Sequence, residues 1–101
     1  MSAITESAKG KECEIQIPGY PHWTDTVVHC HYPIAGVTSG TALKSHDLLG
    51  ARGCYDCHRI VDNRDLTAAE RVLDRDWVKE RFREGIVRTI ARLIQEGVIE
   101  R

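Results

Sequence analysis

The run Cys54-Tyr55-Asp56-Cys57-His58-Arg59-Ile60-Val61-Asp62 places two thiols, an imidazole and two carboxylates within nine residues. Its opening CxxCH has three chemical uses. As a c-type haem attachment motif it needs export and a distal ligand, but the only methionine is Met1. As a redox pair it needs a thioredoxin-like βαβ pattern around it, and none is visible. As half of a zinc site it needs two more ligands to complete a tetrahedron. Cys13 is one, and His22 is the choice for the other, with Cys30 its rival. A closed site of that kind is structural, coupling metal affinity to folding.

Working outward, Cys54 to Asn63 holds no breaker and predicts a short helix. Upstream, Glu12 to Ile17 alternates Cys13, Ile15 and Ile17 with Glu12, Glu14 and Gln16, a period of two that predicts a half-buried strand. Pro18-Gly19-Tyr20-Pro21 then predicts a turn. The β-prone run Thr26 to Tyr32, stopped by Pro33, predicts a second strand. Together they read as a hairpin, with His29 and His31 facing one way and Cys30 the other. Ala35 to Ser45 reads as an exposed loop, and residues 1–10 as a flexible N-terminal arm.

Downstream, Thr67-Ala-Ala-Glu70 matches a capping box, predicting a helix over 68–73. From Asp76 to Glu96, Val78, Phe82, Ile86, Ile90, Leu93 and Ile94 recur at three- and four-residue steps. That pattern predicts a long amphipathic helix capped by Asp74 or Asp76 and ended at Gly97. Its expected job is to cover a thin core, a homodimer interface being the alternative. The expected class is α+β: a strand pair stapled by zinc, a short helix and the long C-terminal helix.

The chain has 101 residues, enough for one domain over 11–101 beyond the arm. The N-terminal MSAITESAKGKE lacks the apolar stretch of a secretory signal, and there is no membrane-spanning run. The expectation is therefore a cytoplasmic protein whose cysteines bind metal rather than form disulfides. A formal net charge of −1 excludes whole-protein attraction to nucleic acid, so any phosphate contact must be local. Arg52, Arg59 and Arg64 surround the cysteines and are the candidates, solvated surface arginines being the alternative.

His58 and Asp62 stand four apart on the predicted helix, so both can reach one divalent ion; an ordinary surface ion pair would look the same. The blocks KECEIQIPGY, TVVHCHYPIAG and LKSHDLLGARGCYDCHRIVDNR, between Lys11 and Arg64, with the ending LIQEGVI, resemble the phage and prophage YbcO-like nucleases of the HNH (His-Me finger) kind. That resemblance implies a ββα-metal fold in which His31 is the general base and His58 and Asp62 hold a catalytic Mg or Mn. It also implies a residue that orients the base, at Asp47 or alternatively His46. Cys30 stands before the base, where the family often has an acid or a histidine bound to metal. The implied activity is hydrolysis of phosphodiester bonds in double-stranded or branched DNA, in phage recombination or processing. The competing class is a noncatalytic zinc module that binds DNA or a recombination protein through the same four ligands and needs nothing from His31.

Overall fold

A computed structural model of the chain describes residues 3–32 and 48–99. Asp47 and His46 lie outside the described residues. The order is α1 (Ala3–Ser7), β1 (Val28–His31), β2 (Gly50–Gly53), α2 (Tyr55–Val61), α3 (Ala68–Arg71) and α4 (Arg75–Gln95). It is a small α+β fold: β1 and β2 form a two-stranded antiparallel sheet, α2 follows directly from β2, and α4 covers the sheet. No helix among the described residues is long and apolar enough to cross a membrane.

The strand partner differs from the predicted one. Val28 pairs with Gly53 and His31 with Gly50, so β1 joins Gly50-Ala-Arg-Gly53 rather than Glu12–Ile17. Glycine is what permits this closeness. A Cβ at Gly50 would stand 2.5 Å from His29 Nε2 and 2.8 Å from the Cys30 carbonyl; one at Gly53 would stand 2.7 Å from Ile15 Cδ1. The 12–17 segment instead runs beside β2 without becoming a strand. The Glu14 and Ile15 amides both donate to the Arg52 carbonyl, at 2.7 and 3.2 Å, and Gln16 then turns to φ 55°. Its alternation also fails, because Glu14 is buried along with Cys13, Ile15 and Ile17. Arg92 holds the Glu14 carboxylate at 3.1 Å, and Arg88 donates to its carbonyl.

Residues 3–7 are helical rather than a loose arm, and Ala8 behind them is fully buried. The C-terminal half matches its pattern. Thr67 and Glu70 exchange both bonds of the capping box at the start of α3. Asp74 caps α4 by accepting from the Asp76 amide, and Gly97 closes it at φ 75°. The buried face of α4 is Val78, Phe82, Gly85, Thr89 and Leu93. Gly85 lets the helix backbone settle on Glu14, Ile15 and Ala51, where a Cβ would meet atoms at 3.1 to 3.2 Å, and Thr89 Oγ1 accepts from the Arg52 amide at 3.0 Å. The long helix thus approaches β2 through a glycine and a hydroxyl residue that are not part of its predicted apolar stripe.

Candidate metal centre

Four side chains converge at the entry to α2. Cys54 is the residue that precedes the helix, Cys57 lies in its first turn, Cys13 arrives from the segment beside β2, and His22, at φ 53°, turns in from the loop before β1. Their ligating atoms all lie within 4.8 Å of one another, and the three thiols are buried. Cys13 Sγ is 3.6 Å from Cys57 Sγ; His22 Nδ1 is 3.3 Å from Cys54 Sγ and 3.7 Å from Cys57 Sγ. A tetrahedron with zinc bonds of about 2.3 Å to sulfur and about 2.0 Å to nitrogen has edges of roughly 3.5 to 3.8 Å, so these separations fit its outline. The Gln16 amide also points at Cys13 Sγ, at 3.4 Å, a backbone donor that side-chain spacing does not reveal.

Charge supports the same assignment. Hydrogen bonds from the Cys54 and Cys57 thiols hold Cys13 far below the usual thiol range, against the opposing effect of burial. Its hydrogen bond with Cys13 in turn pushes Cys57, and likewise Cys54, upward. Among themselves the three thiols therefore favour one negative charge, and a divalent cation is what would let all three ionise. Cys30, the rival ligand, stands outside the group: it is buried in the core, and desolvation raises its thiol. The haem reading loses its geometry as well, because both CxxC thiols turn inward and His58 turns to Asp62.

A second constellation lies further along the same helix. His58 Nε2 and Asp62 Oδ2 are 3.0 Å apart across one turn of α2, both side chains about one-third exposed. That separation suits a hydrogen bond, and it is also the cis edge of an octahedron with bonds of about 2.1 Å. His31 ends β1 on the surface, its ring edge-on to the buried His29 with centroids 5.2 Å apart, as the strand alternation predicted.

A family model described as "Putative nuclease YbcO" matches residues 2–98. The chain belongs to the YbcO family. Two curated relatives of that description, one from Escherichia coli strain K12 and one from Enterobacteria phage 82, are each 33% identical over 101 residues, covering 99% of either chain. A solved structure of a "putative bacteriophage protein" from Escherichia coli K-12 superposes with a TM-score of 0.69 at 31% identity, covering 92% of this chain and 98% of that one. The family is thus phage-associated and described as nucleolytic.

Within this YbcO-family fold two of the three arginines expected at phosphate are spent internally. Arg52 is 1% exposed, forks onto both Glu96 carboxylate oxygens at 2.6 and 2.8 Å and reaches Ser7 Oγ, tying α1 and the end of α4 to β2. Arg59 is 8% exposed and bonds both oxygens of Glu70, together with Asp56 and the Asp65 carbonyl. Tyr20 completes that buried knot through Glu70. A guanidinium held by two or more acceptors out of water is unavailable to DNA. Arg64 alone keeps an open head, 53% exposed and 3.7 Å from Asp62.

Proposed function

We propose that this chain is a metal-dependent DNA endonuclease of the HNH kind, with His31 as general base, His58 and Asp62 as the catalytic metal ligands, Asp47 orienting the base, and Cys13, His22, Cys54 and Cys57 holding a structural zinc. The observation that carries this reading is the order of elements around the side chains. Two antiparallel strands lead straight into a helix, an exposed histidine ends the first strand, and a histidine and an aspartate share one turn of that helix.

Imidazole is the side chain suited to taking a proton near neutrality, and His31 is accessible enough to take it from an attacking water. The chemistry a divalent ion such as Mg or Mn supplies, when held by His58 and Asp62, is charge stabilisation at the scissile phosphate and the leaving 3′-oxygen. Arg64, exposed beside Asp62, would meet a flanking phosphate. With a zinc ion held by Cys13, His22, Cys54 and Cys57, α2 would be fixed against the strand pair so that the helix presents His58 and Asp62 in one direction. The setting consistent with the family is phage or prophage DNA processing in the host cytoplasm.

The test is incubation of the purified chain with supercoiled, linear and branched DNA across Mg, Mn, Ni and Zn, beside His31→Ala. Cleavage by the parent that falls to background in the variant supports the assignment. Cutting at the parental rate by His31→Ala would remove the general base from the scheme. One tightly held zinc with no cleavage in any ion would leave a noncatalytic DNA-binding module.

A further inference from the structure

A cleft of about 180 Å³ opens between the end of β1, the end of α2 and the first half of α4, lined by Tyr32, Val61, Arg75, Val78, Lys79, Phe82 and Arg83. Its position follows from the sequence. Tyr32 follows His31 and Val61 precedes Asp62, so the cleft lies at the ends of the same strand and helix, with Tyr32 turned onto Phe82 of α4. Its walls divide by chemistry. Tyr32 and Phe82 form an edge-to-face pair with centroids 5.0 Å apart, and Val61 and Val78 complete an apolar surface. Arg75, Lys79 and Arg83, at successive four-residue steps, put three cations along one line of α4.

The three cations are not equally committed. Arg75 donates to the Ile60 and Val61 carbonyls and so seals the end of α2. Lys79 and Arg83 are exposed; Arg83 reaches the Tyr32 side chain and, among the described residues, pairs with the Glu80 carboxylate at 3.4 Å, itself 59% exposed. A pair that open to water is weak, and a phosphate can displace it.

We infer that this cleft seats one unstacked nucleobase against Tyr32, with Lys79 and Arg83 on the phosphates beside it, so that the favoured substrate is DNA carrying an unpaired nucleotide. Three features favour this occupant. An aromatic wall with an apolar floor suits a planar ring, because every base has a π-face to stack. Paired bases keep those faces inside the helix, so only an unpaired or flipped base can offer one. The volume lies below the roughly 300 Å³ at which pockets for drug-sized molecules begin, which suits a single ring system rather than a whole nucleotide. The cationic line then lies outside the ring, where the backbone would run. The inference rests on the nuclease reading, which it sharpens by naming the substrate class.

The experiment uses the full chain carrying His31→Ala, so that binding is measured without cutting. The probes are a fluorescent blunt duplex and a matching flap with a 2-aminopurine at its first unpaired position. The flap should bind about tenfold more tightly than the duplex, with quenching of the 2-aminopurine. Adding Tyr32→Ala should remove most of that preference and the quenching, and Tyr32→Phe should restore both, showing that the ring and not the fold is read. Lys79→Ala with Arg83→Ala should flatten the plot of log affinity against log salt by about 1.4 on single-stranded DNA, for two lost phosphate contacts. Equal affinity for duplex and flap, or a flap preference unchanged by Tyr32→Ala, would overturn the inference. Either result would leave the nuclease reading intact wherever the His31 parent still cuts. A chain that binds the flap as described but never cuts would instead count against the nuclease reading alone.

Discussion

The helix Tyr55–Val61 serves two groups of side chains that differ in almost every physical respect. At its entry, three buried thiols and a half-buried imidazole crowd within 4.8 Å; toward its end, an imidazole and a carboxylate stand 3.0 Å apart at the surface. Successive residues on a helix diverge by about 100°, so Cys57 and His58 can be neighbours in sequence and belong to different sites. Three buried thiols and a half-buried imidazole would give a closed site that holds its ion for the sake of the fold. Two harder donors at the surface would, in the proposed reading, give a site where an ion exchanges and meets a substrate. Proximity to a cysteine cluster is therefore no sign that a histidine is structural, and the two groups should fail in different ways when broken.

The largest difference is expected from Cys57→Ala. Zinc binding in small modules supplies about 10 to 16 kcal/mol, comparable with the roughly 5 to 15 kcal/mol that holds a whole domain together. The variant, or the parent with a strong chelator, should lose its cooperative thermal transition and its tightly bound zinc together. A folded, zinc-free Cys57→Ala protein would show that the cluster is not the staple.

His31→Ala should do the reverse, leaving the melting curve in place and lowering cleavage by about 10² to 10⁴. His58→Ala should match it in activity and raise the Mg or Mn concentration needed for whatever cutting remains. If His58→Ala instead melts like Cys57→Ala, the two ends of the helix are one site.

A smaller effect concerns the arginine knot centred on Arg59 of the same helix. Arg59 holds the Glu70 carboxyl down to about 2 from an ordinary 4.5. A depressed carboxylate contributes stability that is complete above pH 4.5 and is lost as the pH falls through about 2. Glu70→Gln should cost about 3 kcal/mol at neutral pH, by leaving Arg59 buried with one charge partner fewer. It should also flatten the fall in stability between pH 4.5 and 2, read by urea titration at each pH. An acid slope identical to the parent's would assign that fall to other carboxylates.

The same contrast explains what could be read in advance. The convergence of Cys13, His22, Cys54 and Cys57 was legible because thiols and imidazoles near a CxxC have few other uses, and the capping box and the long helix because their signals are local. The second strand was not. Gly50-Ala51-Arg52-Gly53 has no β-branched or aromatic residue, and it pairs because glycines admit His29, Ile15 and Cys30 at close range, a property of the partners rather than of the strand. Glu12–Ile17 carried the period of a strand, but a buried Glu14 answered by Arg88 and Arg92 makes its alternation meaningless. Arg52 and Arg59 looked like surface cations because their carboxylates, Glu96 and Glu70, lie 44 and 11 residues away.

The smallest expected effect tests what is left of that arginine reading. With Arg52 and Arg59 committed to carboxylates, Arg64 is the member of the three whose head faces water, and its 3.7 Å approach to Asp62 is a loose one. Such a contact adds little to stability, so Arg64→Ala should leave the melting temperature unchanged. A single phosphate contact on duplex DNA contributes about 0.9 to the slope of log affinity against log salt. Arg64→Ala should lower that slope by about this amount, whereas Arg52→Ala should destabilise the protein before any change in binding can be read. An unchanged salt slope for Arg64→Ala would remove the last of the three arginines from the DNA and leave its electrostatics to the cations of the long helix.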